Sequence, residues 1–456
     1  MQKVVEYIQT NRENHLKELG DFLAIPSVST KSEHKPDIER CAQFVAEMMR
    51  RAGMENVEIV PTPGHPIVYG EWLKAPGKPT ILIYGHYDVQ PVEPLELWES
   101  PPFQATKRNG DLYARGTADD KGQVHIHLKA IEAHLKAEGK LPVNIKFMVE
   151  GEEEVGSDHL WWFMEKYAAK LKSDALVVSD TSMLRKGVPS ITYGLRGLAY
   201  YEIEVEGPTV DLHSGVFGGA VPNPLLILSK ILAQMHDQNW RVTIPSFYDD
   251  VMPLSDDERK QLNSLPFSEE EFRKTVGAPE LYGEAGYSIV ERLWARPTFE
   301  VNGIWGGYIG EGAKTVIPSK AWAKISTRLV PNQDPVKIAK LVEDHLRRVA
   351  PPSVKMKFRI LSTGRPWVAP YTHPWFQAAI RALEKGFGKK AVFIREGGSI
   401  PFVTDVSEKL KVPCLLIGFG LPDENAHAPN EHIYLENYFG GILSIAHFYN
   451  ELAQAA

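Results

Sequence analysis

Residues 80–91 read TILIYGHYDVQP. Positions 80–84 are a nearly continuous apolar run, the pattern of a strand buried on both faces. Gly85 ends the run, and His86 and Asp88 follow. An imidazole and a carboxylate therefore stand beyond the carboxyl end of a central strand, where open α/β sheets place their sites. Upstream, Val4, Val5, Ile8, Leu16, Leu19 and Leu23 recur at helical spacing until Pro26. A second amphipathic helix is expected over 38–52, closed by Gly53, and a short strand over 57–60. Downstream, residues 121–135 read as a helix, and 143–149 and 175–178 as further buried strands. Strands separated by helices predict an α/β layer with a mainly parallel sheet.

The middle of the chain has another style. Residues 198–206 (LAYYEIEVE) alternate apolar and polar, which suits a sheet with one wet face. A helix is expected over 222–236, a strand near 299–305, a strand over 320–329, a helix over 335–349 and a strand over 354–361. That order, β-α-β-β-α-β, is the ferredoxin-like pattern of an α+β domain. The Pro-, Glu- and Ser-rich segment 237–296 reads as an elaboration of it. After Pro366 the α/β style returns, with a helix over 373–387, strands over 391–394 and 414–419, and a final helix over 442–452. The expected organisation is one domain built from residues 1–194 and 367–456, with 195–366 inserted.

Composition narrows the function. The 456 residues carry 51 Lys+Arg and 58 Asp+Glu, a formal net charge of −7 with no basic block, which disfavours nucleic acid as a partner. No apolar run reaches the roughly 18 residues of a membrane span, so no membrane partner is expected. The polar residues 1–18 lack the apolar core of a signal peptide, so a cytoplasmic location is expected. Cys41 and Cys414 are the only cysteines. A disulfide framework and a Cys-rich zinc site are thereby excluded.

Other polar residues fall at the ends of the same strands. Asp119 and Asp120 (in RGTADDKG) precede the 121–135 helix, Glu152, Glu153 and Glu154 follow the 143–149 strand, Asp180 follows 175–178, and His427 lies in the loop after 414–419. Singly, each has an ordinary explanation. His86 could be a hydrogen-bonded core histidine, Asp119-Asp120 an N-cap pair, the glutamates a helix start, and Asp180 a turn residue. Their convergence on one sheet edge is harder to explain without a cation, because clustered carboxylates repel and lose hydration. Imidazole plus carboxylate without thiolate suits Zn, Mn or Co. Two histidines and several carboxylates suffice for two such ions, given one bridging carboxylate.

Eight stretches then resemble, in order, the motifs of the M20 metallopeptidases: GHYDVQP (85–91), RGTADDKG (115–122), EGEEEVGS (150–157), VVSD (177–180), DLHSGVFGG (211–219), GAKTVIP (312–318), REGGSIP (395–401) and NAHAPNE (425–431). The carnosine dipeptidase-like branch is the most similar. The resemblance implies two divalent ions per subunit, zinc first and Mn or Co as substitutes. Asp119 would bridge them, His86 and Asp180 would complete one site, and Glu154 and His427 the other. It further implies Glu153 as general base and acid, Asp88 as the carboxylate that orients His86, and a cis Asp119-Asp120 bond. His213 would reach a partner subunit's site as an oxyanion donor, and Arg328, Thr315, Gly398 and Ser399 would bind substrate. Residues 195–366 become a lid and dimerisation domain, so a homodimer is implied. The expected activity is hydrolysis of free dipeptides through a metal-bridging hydroxide. An N-acyl amino acid deacylase or desuccinylase on the same site, and a catalytically silent binding relative, are the alternatives. Arg328 suits a substrate carboxylate because a guanidinium grips it in bidentate fashion.

Overall fold

The computed structural model describes residues 1–398 and 401–455. The chain divides into two compact units. The first comprises Met1–Tyr193, Ala369–Ile394 and Asp405–Ala456; the second comprises Gly194–Val368 and Arg395–Thr404. The sequence reading left residues 395–404 with the C-terminal part, whereas here they group with the second unit.

The first unit is organised by a mixed sheet. Its strands run in the order Glu55–Val60, Ile67–Trp72, Asn144–Glu150, Thr80–His86, Ala175–Val178, Cys414–Leu416 and Ser190–Leu195. The four strands from Asn144–Glu150 to Cys414–Leu416 are mutually parallel, and the flanking pairs are antiparallel. Residues 81–86, 145–150 and 175–178 are all buried, as their largely apolar runs predict. The register aligns their carboxyl ends: His86 pairs with Glu150, Tyr84 with Val178, and Val178 with Leu416. One edge thus receives every loop that carries a candidate ligand.

The helix Lys121–Glu138 lies against this sheet and is buried almost all round. Two glycines make room around its first turn, one against the sheet and one against the preceding loop. A Cβ on Gly85 would stand 2.5 Å from Val124 Cγ2, and one on Gly122 would stand 1.9 Å from the Thr117 carbonyl oxygen. The helix Lys35–Ala52 ends, as expected, on Gly53 in the left-handed region, φ 96°. The N-terminal run forms two helices, Gln2–Thr10 and Arg12–Leu23, parted at Asn11. The sequence reading passed over the strands Ile67–Trp72 and Ser190–Leu195 and the helix Pro401–Leu410. Among the described residues no helix is long and apolar enough to cross a membrane.

The second unit holds a four-stranded antiparallel sheet in the order Thr298–Gly306, Lys320–Leu329, Gly197–Glu206 and Lys355–Gly364. With the helices Pro224–Ala233 and Pro335–Val349 it completes the β-α-β-β-α-β order. Alternate residues of the central strands (Ala199, Tyr201, Ile203 and Val205; Ala321, Ala323 and Ile325) pack on Leu228, Ile231, Ile338, Val342 and Leu346. The 237–296 elaboration contains three short helices, Asp256–Asn263, Glu269–Thr275 and Ile289–Trp294. Ser255, Ser268 and Ser288 cap their N-termini by accepting backbone amides.

Candidate metal centre

Two groups of potential ligands form in the first unit and share Asp119. One is His86, Asp119 and Asp180; the other is Asp119, Glu154 and His427. Within each group the donor atoms lie within 4.8 Å of one another. His86 Nε2 is 3.0 Å from Asp119 Oδ1 and 3.9 Å from Asp180 Oδ1. His427 Nε2 is 2.8 Å from Asp119 Oδ2 and 3.2 Å from Glu154 Oε2. Each oxygen of Asp119 therefore faces a different imidazole. The Asp119-Asp120 peptide is cis, the isomer that the resemblance implies.

The surrounding contacts fix these side chains. Asp88 is fully buried, and its Oδ1 lies 3.3 Å from His86 Nδ1. The same carboxylate accepts the backbone amides of Glu153 at 3.2 Å and Glu154 at 3.1 Å. One residue thereby orients an imidazole and holds the turn Glu153–Val155. Gln90 donates from Nε2 to Glu154 Oε2 at 2.7 Å. Asp120 Oδ2 accepts the backbone amide of His86 at 3.1 Å.

The electrostatics fit a cation. Burial, together with the charges of Asp119 and Asp120, pushes Asp180 well above the carboxylate range. Burial also raises Asp119, but hydrogen bonds from His427 and His86 outweigh it and leave Asp119 low. Hydrogen bonds to Asp119 and Glu154 lift His427 to about 10. Burial opposes protonation of His86, but Asp119 and Asp88 override it and raise the imidazole. These shifts mark a cluster whose carboxylates call for positive charge, as a bound divalent ion would supply. Glu154 Oε1 is buried without a hydrogen-bond partner, a vacancy that a metal bond would fill. The oxygen and nitrogen donors suit zinc, manganese or cobalt alike. Glu153 belongs to neither ligand group. Burial, with the charges of Asp119, Glu154 and Asp88 and against the pull of His86, raises it to about 7, in the range suited to a general base.

A sequence profile of peptidase family M20/M25/M40 matches residues 82–451. The chain belongs to this family. Among relatives of this M20 chain, the Cys-Gly metallodipeptidase dug1 of Schizosaccharomyces pombe is 36% identical, the alignment covering 100% of this chain and 99% of that protein. The structure of human carnosine dipeptidase 1 superposes with a TM-score of 0.84 at 32% identity, covering 99% of this chain and 98% of the other. The M20 family metallo-carboxypeptidase Sso-CP2 from Sulfolobus solfataricus gives a TM-score of 0.84 at 36% identity, covering 96% and 99%. The chain is thus a metal-dependent hydrolase of the M20 type, related over its whole length to metallodipeptidases.

The remaining candidate residues belong to the second unit. His213, exposed, ends the strand Leu212–His213, which pairs with Val316–Ile317. Its Nδ1 accepts the Gly215 amide at 3.0 Å, so the neutral ring carries its proton on Nε2 and can donate from there. Thr315 is exposed, and its carbonyl accepts the Ser214 amide at 3.0 Å. Arg328 is half-buried and lines a cavity of about 450 Å³ with Arg196, Glu300, Trp240 and Tyr282. Gly398 is exposed, next to Gly397, whose carbonyl accepts Arg196 Nε at 3.2 Å. Ser399 lies outside the described residues. Gln90, Arg115 and Glu431 were not singled out from sequence, although all three stand inside the quoted motifs. What they touch is set by long-range folding.

Proposed function

We propose that this chain is a dinuclear metal-dependent dipeptidase, with His86, Asp119 and Asp180 holding one ion and Asp119, Glu154 and His427 the other. The observation that carries the reading is Asp119: its two oxygens lie 3.0 and 2.8 Å from the two imidazoles, one per ligand group. Two divalent ions bound there supply an acidified water and a polarised scissile carbonyl. Glu153 takes the proton of the attacking water on its carboxylate and returns it to the leaving amine nitrogen. Asp88 keeps His86 in one tautomer and keeps Glu153 in place through its amide. His213, reaching in from a partner subunit, would donate from Nε2 to the developing oxyanion, Arg328 would pair with the substrate's terminal carboxylate, and Thr315, Gly398 and Ser399 are assigned to substrate binding by the family resemblance.

We propose zinc as the ion, as the family resemblance implies; the imidazole-carboxylate donor set accepts it as it would manganese or cobalt. The second unit is read as a lid and dimerisation domain inserted between 1–194 and 367–456. A homodimer is supported by exposed apolar residues on and beside the edge strand Thr298–Gly306: Val301 at 45%, Ile304 at 46%, Ile309 at 90% and, on the adjacent helix, Leu226 at 56% exposure. Two free, buried cysteines suit a reducing, cytoplasmic compartment.

The test is hydrolysis of a panel by metal-replete protein, with bound ions counted by mass spectrometry. The panel holds free dipeptides, their C-terminal amides, longer peptides and N-acyl amino acids. Turnover of free dipeptides alone is the expected result. Removal of C-terminal residues from longer peptides would favour the carboxypeptidase reading that the likeness to Sso-CP2 offers. Turnover of N-acyl amino acids alone would move the chain to deacylase chemistry. Mixing inactive His213→Ala protein with inactive Glu153→Gln protein should restore activity. Its absence in exchanging dimers would refute a shared site.

A further inference from the structure

Two motif residues have no part in the chemistry above, yet they meet beneath it. Glu431 closes NAHAPNE and Arg115 opens RGTADDKG. Glu431 is fully buried and Arg115 is 1% exposed. Arg115 Nη1 donates to Glu431 Oε2 at 2.6 Å, and Nη2 donates to the Pro91 carbonyl at 2.9 Å. The carboxylate also receives a run of backbone amides. Gly116 donates at 3.0 Å to Oε2, and Ala118 at 2.9 Å and Asp119 at 3.2 Å donate to Oε1. Such an array of amides is an anion-holding nest, here filled by the protein's own carboxylate.

The placement matters because of what these loops carry. The last amide in the nest is that of Asp119 itself, the residue shared by both ligand groups. Glu431 lies four residues after His427, in the same loop, and the following strand His432–Tyr434 pairs with Asp111–Tyr113, just before Arg115. Pro91 ends the stretch that bears His86 and Asp88. Glu431 and Arg115 together thus tie the three loops that deliver His86, Asp119 and His427.

We propose that Glu431, braced by Arg115, is a positioning residue for the metal centre, setting Asp119 against His427 through the backbone of residues 116–119. The proposal rests on the reading of the Asp119 groups as a metal site. Ion ligands held by such outer contacts lose about 10–100-fold in affinity when the contact is removed.

The test compares wild type with Glu431→Gln and Glu431→Asp, following zinc affinity by chelator competition, the visible spectrum of the cobalt-loaded protein, and kcat and KM separately. Glutamine keeps the volume but brings an amide donor to face amide donors. Aspartate keeps the charge but withdraws the oxygens by one methylene, and it carries the test should the glutamine variant not fold. The expected result is a 10–100-fold loss of zinc affinity, an altered cobalt spectrum and a lower kcat with KM within about threefold. Excess zinc should restore part of the lost kcat, which a merely structural lesion would not allow. Wild-type zinc affinity and spectrum in both variants, with only the melting temperature lowered, would overturn the proposal and leave the metal site standing. Failure of wild type to bind divalent ions would overturn the site and this proposal together.

Discussion

Glu153→Gln separates catalysis from metal binding and from stability in one variant. Glu153 belongs to neither ligand group, and its backbone amide is held by Asp88 at 3.2 Å. Glutamine preserves shape and that anchor while removing the proton acceptor, so both ions should remain. Positioned proton transfer contributes about 10²–10⁴-fold, and kcat should fall by that factor. A second signature follows from burial. The carboxyl is raised from 4.5 to about 7, and at about 1.4 kcal/mol per pH unit the fold holds up to roughly 3 kcal/mol against the ionised form. An acid raised in the folded state keeps its proton longer there than in the unfolded chain. It therefore costs stability progressively as pH rises from 4.5 to 7, and the full cost persists above. Glutamine has no such penalty. Metal-free Glu153→Gln should exceed metal-free wild type by up to about 3 kcal/mol at pH 8 and by almost nothing at pH 4.5. Denaturant unfolding at the two pH values, with kinetics and ion counting, measures all three quantities. Unchanged turnover would remove Glu153 from the proton path, loss of an ion would make it a ligand, and a pH-independent stability gap would refute the burial argument.

Stripping the ions with a chelator should lower the melting temperature, since a ligand present at 100 times its Kd contributes about 2.7 kcal/mol per site; an unchanged melting curve would deny that the folded chain binds them. His127 is buried, 2.7 Å from Ser179 Oγ, and burial lowers it to about 3. Because the unfolded chain takes up its proton near 6.5 and the folded chain does not, His127→Gln should gain on wild type by up to about 1.4 kcal/mol per pH unit as pH falls below 6.5. Parallel pH-stability curves would contradict that burial. Arg328→Lys replaces a bidentate fork by a point charge. It should raise KM for free dipeptides about tenfold with kcat little changed, and an unchanged KM would remove Arg328 from carboxylate recognition.

Apolar periodicity was the most legible part of the sequence. The strands Ala175–Val178 and Lys320–Leu329 and the helix Pro335–Val349 have the bounds that periodicity predicts. Ile67–Trp72 and Ser190–Leu195 were missed because Gly70 with Glu71, and Gly194, interrupt their apolar pattern. The final helix, expected over 442–452, spans Leu435–Ala455. Its Gly440-Gly441 pair looks like a helix breaker by propensity. Packing overrides that: a Cβ on Gly440 would stand 2.6 Å from Phe387, and one on Gly441 2.9 Å from Ile126. At the site, His86, Asp180 and Glu154 could be found from their places after buried strands. The sharing of Asp119 came from the family resemblance. Gln90, Arg115 and Glu431 carried no local signal, because Arg115 meets its partner 316 residues away.

The central strand Cys414–Leu416 lies beside Ala175–Val178, and Ser179 Oγ donates to the Ile417 carbonyl across 238 residues. On the ribosome, at about 5–20 residues per second, the first half of that sheet waits roughly 10–50 s for its neighbour. The intervening chain can fold locally in that interval, whereas the sheet's apolar centre stays open on one side. His427 emerges later still. The nascent protein therefore carries an incomplete set of candidate ligands until His427 has emerged, and the proposed hydrolytic competence waits on that loop.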